Sequence, residues 1–238
     1  MNAAGNAGKL LVLNSGSSSL KFRLFAGTDL AVLASGLIEQ VGAAQGAAHL
    51  SFAGPSGEAK TIERTASVAD HRQTIEVMAE MLRESGMLVD TGELAGIGHR
   101  VVHGGEAFQQ PVRIDASVMA AIEALTPLAP LHNPANLMGI RVAMEQAAQT
   151  PQVAVFDTAF HQSMPEHAYL YALPYRYYQE QKVRRYGFHG TSHGYVARQA
   201  AKHLGRPLQE LSMITLHLGN GASAAGVKGG NVSIPPWA

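Results

Sequence analysis

Two glycine- and serine-rich turns, each following a β-type run, constrain the fold of this chain more than any other feature. The first turn is residues 15–19 (Ser-Gly-Ser-Ser-Ser), and it joins two runs of alternating apolar residues. The second is residues 219–223 (Gly-Asn-Gly-Ala-Ser), which follows the run Met-Ile-Thr-Leu-His-Leu. One such hairpin opens each half of a two-domain chain, and a pair of this kind can hold the phosphates of a nucleotide between related domains.

The composition excludes several classes of function. The chain has 238 residues, with 18 basic and 18 acidic side chains and zero net charge, so we expect no broad basic face for nucleic acid or an anionic membrane. Cysteine is absent, which excludes disulfides, thiolate zinc sites and a cysteine nucleophile. We find neither a signal-peptide pattern nor a run of about 18 apolar residues. We therefore predict a soluble, cytoplasmic protein that binds neither nucleic acid nor a membrane.

The spacing of apolar residues predicts an α/β protein with a mixed sheet. Strands are predicted at residues 9–14, 19–25, 31–38, 49–52, 59–62, 97–103 and 152–156. Helices are predicted after Asp70 and Asp115, from Asn133, and from Thr191 or Ser192 to Leu204. For the third helix we expect Asn133 at the cap and Pro134 at the first helical position. A change of pattern after the strand at 152–156 predicts two domains, 1–158 and 159–238.

The first turn is a candidate phosphate-binding loop. Glycine frees its backbone, hydroxyl and N–H groups line it, and Lys21 follows in the next strand. The pattern Gly-x-x-x-x-Gly-Lys-Ser/Thr is absent, so this is not a P-loop, and an ordinary hairpin explains the same residues. The second turn is equally compatible with a tight Asn-Gly hairpin.

Arg100 is a candidate anion-binding residue in a strand that ends in paired glycines. Its guanidinium can bind a carboxylate through two hydrogen bonds, with Val102 on the same strand face to contact an apolar tail. A structural ion pair is the alternative. His99 and His103 are too far apart on one strand, roughly 13 Å, to bind one zinc ion together.

Two further candidates lie at the end of a strand and the start of a helix. Asp157 follows a buried strand, where ligands of open α/β sheets bind, although it can equally cap a helix. His189 precedes a helix N-terminus, where backbone N–H groups favour anions, and is either an electrostatic stabiliser or a structural loop histidine. Residues 131–136 are explained as a helix start.

Six strings occur together in one order. They are residues 14–21 (Asn-Ser-Gly-Ser-Ser-Ser-Leu-Lys), 98–105 (Gly-His-Arg-Val-Val-His-Gly-Gly), 130–136 (Pro-Leu-His-Asn-Pro-Ala-Asn), 156–161 (Phe-Asp-Thr-Ala-Phe-His), 186–193 (Tyr-Gly-Phe-His-Gly-Thr-Ser-His) and 217–221 (His-Leu-Gly-Asn-Gly). Together they closely resemble the acetokinase family, the acetate kinases, from about Lys9 to about Gly230. The resemblance implies an actin-like, sugar-kinase-like (ASKHA) α/β fold of two related domains with a nucleotide in the cleft.

The resemblance also implies an activity and roles for individual residues. The reaction is the reversible, Mg²⁺-dependent transfer of a phosphoryl group from ATP to acetate, giving acetyl phosphate and ADP, and the family's assembly is a homodimer. By resemblance, Asn14 helps to hold the metal, Arg100 binds the acetate carboxylate, Asp157 is the active-site acid, and His189 stabilises the transition state. The residues implied in ATP binding are Lys21, His217, Leu218, Gly219, Asn220 and Gly221. The residues implied in the methyl pocket are Val102, Leu131 and Phe188.

Three alternatives remain at this point. Propionate or butyrate can replace acetate, because one methylene in an apolar pocket discriminates by only about 1 to 3 kcal/mol. A non-catalytic module that binds carboxylate or phosphate is the second alternative. A histidine metallohydrolase is the third, and the spacing of His99 and His103 argues against it.

The chain departs from the family pattern after Gly230. The resemblance implies a strand reaching Asp-Thr-Ser-Met-Gly, then a second essential arginine, the adenosine pocket and a glutamate for Mg²⁺. This chain instead ends in Asn-Val-Ser-Ile-Pro-Pro-Trp-Ala. Permissible codons for residues 233–238 encode Asp-Thr-Ser-Met-Gly in an overlapping frame, so we predict a frameshift near Asn231 and a C-terminally truncated second domain. We accordingly expect exposed apolar sheet surface, limited solubility and little turnover.

Overall fold

The structure, a computed structural model, describes residues 8–54, 56–219 and 221–237. They belong to two units. The first contains the described chain through Val101 together with Val112–Ala154, and the second contains Val102–Pro111 and the described chain from Val155. The predicted domain boundary at residue 158 lies close to the second of these crossings and stays a prediction.

A large mixed sheet is organised around the first hairpin. Its strands are β1 (Lys9–Ser15), β2 (Ser19–Phe25), β3 (Val32–Glu39), β4 (Gly46–Ala53), β5 (Ala59–Ala66), β6 (Leu94–Val101), β7 (Val112–Arg113) and β8 (Gln152–Phe156). Their order is β5-β4-β3-β2-β1-β6-β8-β7. The first five strands form the predicted antiparallel meander, while β6 pairs with β1 in parallel and β7 pairs with β8 antiparallel. The predicted mixed sheet is confirmed.

Three helices accompany this sheet in the first unit: α1 (His71–Glu84), α2 (Ala116–Ala124) and α3 (Asn133–Gln146). The predicted caps of α1 and α2 are confirmed, because Asp70 and Asp115 accept hydrogen bonds from the first turns of their helices. The core lies between α1, α3 and one face of the sheet. Alternation along β1 buries Leu11, Leu13 and Ser15 in this core and turns Asn14 to the opposite face.

Two predicted boundaries in this unit are wrong. Asn133 is the first residue of α3 rather than its cap, and His132 occupies the cap position without a side-chain hydrogen bond. The Asn133 side chain is fully buried and donates to the carbonyl of Ile122, so it is not available to cap the helix. Strand β6 was expected at residues 97–103 but spans Leu94–Val101, because its start is set by pairing with Lys9 of β1.

The second unit contains three helices and a three-stranded sheet. The helices are α4 (Glu166–Tyr169), α5 (Arg176–Gln181) and α6 (Gly190–Leu204), and the strands are β9 (Ser212–Leu218), β10 (Ala222–Lys228) and β11 (Asn231–Trp237). The sheet is an antiparallel meander of order β11-β10-β9. The second hairpin is therefore confirmed, and the three strands repeat the antiparallel order of β1, β2 and β3. Short 3₁₀ helices in the two units are Thr91–Glu93, Thr126–Leu128, Ala159–Ser163 and Leu208–Glu210.

A tyrosine-rich segment that interrupts the sequence pattern is held by one carboxylate. Glu106 accepts hydrogen bonds of 2.7 Å from both Tyr178 and Arg184. The guanidinium of Arg184 also lies 3.7 Å from the centre of the Tyr169 ring. Because these contacts combine charge, hydrogen bonding and cation–π attraction, they give the short helices α4 and α5 a fixed anchor in the second unit.

The C-terminal residues and strand β9 are the part of the chain for which we expected a frameshifted tail and exposed apolar sheet surface. Residues 231–237 form β11, while Ala238 lies outside the described residues. Strand β9 is at the edge of the sheet, and its outward residues Ile214, Leu216 and Leu218 are 75%, 56% and 76% exposed. The second unit thus presents an apolar strip along a sheet edge. The frameshift stays a prediction.

Candidate functional site

A row of polar side chains crosses three adjacent strands of the first unit. Asn14 of β1 is the register partner of Lys21 of β2, so their side chains share one face of the sheet. Arg100 lies on the neighbouring strand β6, and its Nη1 donates to the Asn14 Oδ1 at 3.2 Å. The row therefore contains two cationic side chains on either side of a carboxamide. Cationic side chains of this kind attract carboxylate or phosphate.

The first turn is supported from outside by residues that the sequence did not single out. Its backbone closes through the Gly16 N–H, which donates to the carbonyl of Ser19 at 2.8 Å. The His71 Nε2 donates to the Gly16 carbonyl at 2.7 Å, and the Asn136 Nδ2 donates to the Ser15 carbonyl at 2.6 Å. Residues 131–136 had been explained as a helix start, yet Asn136 fixes the turn from that helix. The string Asn-Pro-Ala-Asn was the available signal.

A glycine permits this close approach of α3 to the turn. A Cβ atom built on Gly139 would lie 2.4 Å from the Ser15 Oγ, well inside van der Waals contact. A larger residue at this position would require the Ser15 hydroxyl or the helix to shift. The turn is consequently a rigid structure clamped on α3, in keeping with a binding loop held in one conformation.

The described residues do not form a magnesium site by themselves. No group of three or more His, Asp or Glu side chains in residues 8–54, 56–219 and 221–237 has metal-binding geometry. Mg²⁺ prefers oxygen ligands that include at least one carboxylate, whereas Asn14 offers one carboxamide oxygen that already accepts from a guanidinium. The donor set therefore does not fit a resident Mg²⁺. The metal role of Asn14 stays a prediction.

The predicted methyl-pocket residues divide between the units. Leu131 belongs to the first unit and is 73% exposed, in the bend that precedes α3. Val102 and Phe188 belong to the second unit, where both are partly buried. The Phe188 ring meets the His103 ring edge to face, with their centres 5.7 Å apart. Phe188 thus has a fixed orientation within its own unit, and the methyl-pocket role of all three residues stays a prediction.

Asp157 lies where β8 ends, and its backbone receives the start of α6. The side chain is only 2% exposed, and its carbonyl oxygen accepts from the Gly190 N–H at 2.9 Å. A Cβ on Gly190 would lie 2.3 Å from that same oxygen, so only glycine fits. Asp157 does not occupy the N-cap of the 3₁₀ helix that follows it, because Thr158 holds that position.

His189 occupies the cap of α6 in a strained conformation, which confirms its expected position at a helix N-terminus. Its φ and ψ of 57° and 24° are left-handed, a region that few non-glycine residues adopt. Its ring stacks on that of His217 with their centres 4.2 Å apart and their planes 18° apart. Its Nδ1 lies 2.8 Å from the Ser223 Oγ. Strain that surrounding contacts maintain in this way is characteristic of functional positions.

Behind His189 lies a buried group of polar side chains that the sequence analysis missed. Ser223 also contacts the Nε2 of His193 at 2.9 Å, and the His193 Nδ1 contacts the Thr215 Oγ1 at 2.8 Å. Thr215 in turn donates to the carbonyl of Ala225 at 3.3 Å. The strings Thr-Ser-His and Gly-Asn-Gly-Ala-Ser contain two of these residues, but only the packing of α6 on β9 and β10 brings them together.

Burial keeps several histidines neutral. Four histidines, His99, His103, His161 and His193, are at most 3% exposed, and burial lowers the pKa of each. We refer to His99, His103 and His193, whose pKa falls furthest, as the three buried histidines. Loss of hydration lowers the pKa of each from 6.5 to about 4. For His193 the neighbouring histidines lower the pKa further. At neutral pH these rings are therefore hydrogen-bonding groups rather than cations.

Apart from Lys21, which lies on β2 of the first unit, the predicted ATP-binding residues belong to the second hairpin. His217 lies on β9, and its Nδ1 is 3.0 Å from the Ser192 Oγ of α6. Leu218 is largely exposed, and the Gly219 N–H donates to the Gly221 carbonyl at 3.1 Å to close the turn. Asn220 lies outside the described residues. A Cβ on Gly221 would lie 3.3 Å from the His189 ring, so the turn runs directly alongside that histidine.

Among the described residues, no helix has the length and apolar character needed to span a bilayer. The cytoplasmic location stays a prediction.

A sequence profile described as the Acetokinase family matches residues 9–234. An acetate kinase of Streptomyces avermitilis is 53% identical over 222 residues, which are 93% of this chain and 54% of that protein. The chain spans about half the length of the curated relatives it matches.

Two crystal structures show the same fold. An acetate kinase of Porphyromonas gingivalis matches with a TM-score of 0.84 and 43% identity, over 96% of this chain and 57% of that one. A propionate kinase from Francisella tularensis matches with a TM-score of 0.87 and 39% identity, over 95% of this chain and 56% of that one. These likenesses confirm the predicted α/β fold class.

Proposed function

Because the chain belongs to the acetokinase family, we propose that it functions as an acetate kinase, transferring the γ-phosphoryl group of ATP to acetate. Family membership confirms the resemblance carried by the six sequence strings. The polar row Lys21, Asn14 and Arg100 is the observation that carries the proposal, because it provides two cationic side chains on one sheet face for two anionic substrates. The oligomeric state, including the expected homodimer, stays a prediction.

Arg100 is the proposed acetate-binding residue. One of its nitrogens donates to the Asn14 amide oxygen, which fixes the plane of the guanidinium. A guanidinium fixed in this way can bind a carboxylate through two parallel hydrogen bonds, whereas a freely rotating one loses entropy on binding. Lys21, on the far side of Asn14, is the proposed contact for nucleotide phosphates.

The residues of the second unit are proposed to stabilise the transferred phosphoryl group. A carboxylate oxygen of acetate attacks the γ-phosphorus, and the bond to the β–γ bridging oxygen breaks with its electron pair leaving on ADP. No proton has to move, since the carboxylate is already ionised, so catalysis depends on alignment and on stabilising charge. His189, at the N-terminus of α6, combines an imidazole with the positive end of a helix dipole.

Asp157 is the proposed active-site acid, and His217 with the hairpin residues 218–221 is proposed to contact ATP. Mg²⁺ enters as part of the Mg–ATP substrate, because phosphate oxygens and water commonly supply most of its ligands.

The test is acetyl phosphate formation from acetate and Mg–ATP, trapped as the hydroxamate, together with calorimetric binding of acetate. Arg100→Ala is compared with Arg113→Ala, which removes an exposed arginine from the edge strand β7. We expect Arg100→Ala to reduce acetate binding at least about 100-fold and to abolish any turnover, with little change for Arg113→Ala. Binding without turnover would assign this chain the role of a carboxylate-binding module. Equal behaviour of both variants would refute the proposal.

A second acid substrate is supported by one observation, the structural likeness to a propionate kinase. An apolar pocket discriminates poorly against one additional methylene, by about 1 to 3 kcal/mol. Competition of propionate and butyrate against acetate, measured as kcat/KM or as binding where turnover is absent, separates these acids. A higher kcat/KM for propionate than for acetate, or tighter binding of propionate where turnover is absent, would make propionate the preferred acid.

A further inference from the structure

His161 is a fully buried histidine that ends one of the six sequence strings and that the proposed function does not use. It lies in the 3₁₀ helix Ala159–Ser163, shortly after Asp157, and is 0% exposed. Its Nε2 lies 2.8 Å from the carbonyl oxygen of Phe188. Since a carbonyl oxygen can only accept, the Nε2 carries a proton and donates it to that carbonyl.

The other ring nitrogen of His161 is buried without a partner. Its Nδ1 has no hydrogen-bond partner among the residues that the structure describes. Burial lowers the pKa of His161, so the ring is neutral at pH 7 and its Nδ1 carries no proton. An unpartnered buried nitrogen costs free energy, and an apolar side chain of the same size would avoid that cost. The histidine therefore contributes one thing that an apolar residue lacks, the bond to Phe188.

That bond holds the peptide group on one side of His189. The Phe188 carbonyl belongs to the peptide plane that precedes His189, and His161 holds it in place. The plane that follows His189 contains the Gly190 N–H, which donates to the Asp157 carbonyl at 2.9 Å. Peptide groups are rigid, so φ and ψ of His189 describe only the rotation between these two planes. Holding both planes therefore holds the backbone conformation of His189.

The conformation held in this way is strained. His189 has φ and ψ of 57° and 24°, and Gly187, two residues earlier, also has a positive φ of 90°. The left-handed region costs free energy for a residue other than glycine, and it persists where the surrounding structure imposes it. Relaxation of φ to the ordinary helical value would rotate the His189 Cβ by roughly 120° about the N–Cα bond. The ring would then leave the stack on His217, whose ring centre is 4.2 Å away.

We propose that His161 is a positioning residue that holds the Phe188 carbonyl, fixes His189 in its left-handed conformation and so directs the His189 ring onto His217. The inference rests on the proposed phosphoryl-transfer function only for what His189 acts on. The His161 ring is itself restrained, because it is fully buried and meets the His193 ring of α6 edge to face, with the centres 5.7 Å apart. A donor restrained in this way loses little entropy in making its bond.

The first test locates the proton of His161 in the unmodified chain. The ¹⁵N chemical shifts of its ring, assigned by their loss in His161→Gln, should show a neutral ring with the proton on Nε2. We expect this form to exceed the Nδ1–H form about 5- to 10-fold, because one net hydrogen bond changes an equilibrium by that factor. A predominant Nδ1–H form would overturn the proposal, since the Nε2 could not then donate to Phe188.

The second test compares two replacements of His161. His161→Phe keeps a buried ring but removes the donor, whereas His161→Gln carries an amide N–H that can reach the position of Nε2. The readout is the nuclear Overhauser cross-peak between the rings of His189 and His217, which stack in the unmodified protein. His167→Phe is the control, because it changes an exposed histidine of the same unit.

The two replacements should differ. In His161→Phe we expect the left-handed conformation of His189 to fall about 5- to 10-fold relative to the relaxed one, which weakens the cross-peak. His161→Gln and His167→Phe should keep it. A cross-peak of full strength in His161→Phe would overturn the proposal, and so would its loss in a folded His161→Gln. If His161→Phe does not fold, His161→Gln and the proton position in the unmodified chain decide.

Turnover provides an independent readout. Displacement of a catalytic group by about 1 Å can lower a rate about 100-fold. Where the chain turns over, His161→Phe should lower kcat about 10- to 100-fold with little change in the KM for acetate, and His161→Gln should restore most of it. Loss of the contact between His189 and His217 without any change in kcat would refute the catalytic role of His189 and leave the positioning role intact. A retained contact would refute the positioning role whatever the turnover.

Discussion

Replacement of Gly190 by alanine should destabilise the second unit by a predictable amount. The new Cβ would lie 2.3 Å from the Asp157 carbonyl oxygen and 2.9 Å from the Phe160 Cβ, whereas ordinary contact begins at 3.4 Å. Because the nearest atom belongs to the backbone, it cannot rotate away, and the start of α6 must move by about 1 Å. The same movement breaks the hydrogen bond from the Gly190 N–H to Asp157.

The magnitude follows from three contributions. Overpacking costs about 1–3 kcal/mol, the lost hydrogen bond costs about 1 kcal/mol, and the reduced backbone entropy of alanine returns about 0.5–1 kcal/mol. We expect a net loss of about 1–3.5 kcal/mol in the free energy of unfolding, measured by urea denaturation. Gly98→Ala is the control, because its Cβ would meet only the Val12 side chain at 3.8 Å. A Gly190→Ala protein within about 0.5 kcal/mol of the unmodified chain would show that the contact at Asp157 is not rigid.

Three further predictions concern the turn, the histidines and the edge strand. Asn136→Ala should lower the free energy of unfolding by about 1–3 kcal/mol, because it leaves the buried Ser15 carbonyl without this donor, whereas Gln146→Ala on the exposed face of α3 should change it by less than about 0.5 kcal/mol. The unfolded chain binds more protons than the folded one between pH 4 and 6.5, where the pKa of the three buried histidines is lowered. The free energy of unfolding, measured with urea, should therefore be highest above pH 6.5. It should fall by up to about 1.4 kcal/mol per pH unit for each histidine as the pH is lowered towards 4. A free energy of unfolding that does not change over this range would contradict the burial of these rings in neutral form. Ile214→Lys should reduce self-association in sedimentation velocity, because it interrupts the apolar edge of β9, and Val89→Lys, an exposed site in the first unit, should not.

Much of the local structure was predictable because its causes are local. Asp70 and Asp115 cap helices, and both hairpins form where glycine and serine interrupt strands. The strings around Arg100 and His189 identified the family. These features depend on residues that are neighbours in the sequence, so the local amino-acid sequence is sufficient to predict them.

The exceptions have physical causes that lie outside the local sequence. Asn133 was predicted to cap α3, but its buried side chain donates to the carbonyl of Ile122 and not to the backbone of the helix. Strand β6 ended early and began early because its partner β1 set the register. Propensity is a weak preference, and pairing or burial overrides it where the two disagree.

The sequence by itself determined the order of strands and helices, the two hairpins and the residue types available for binding anions. Only the tertiary structure decided how those residues are supported. Asn136 reaches Ser15 across 121 residues of chain, and His193 joins Ser223 and Thr215 behind His189. These meetings depend on helices packing on a sheet at one distance and angle, and close packing is a property of the whole folded unit rather than of any segment.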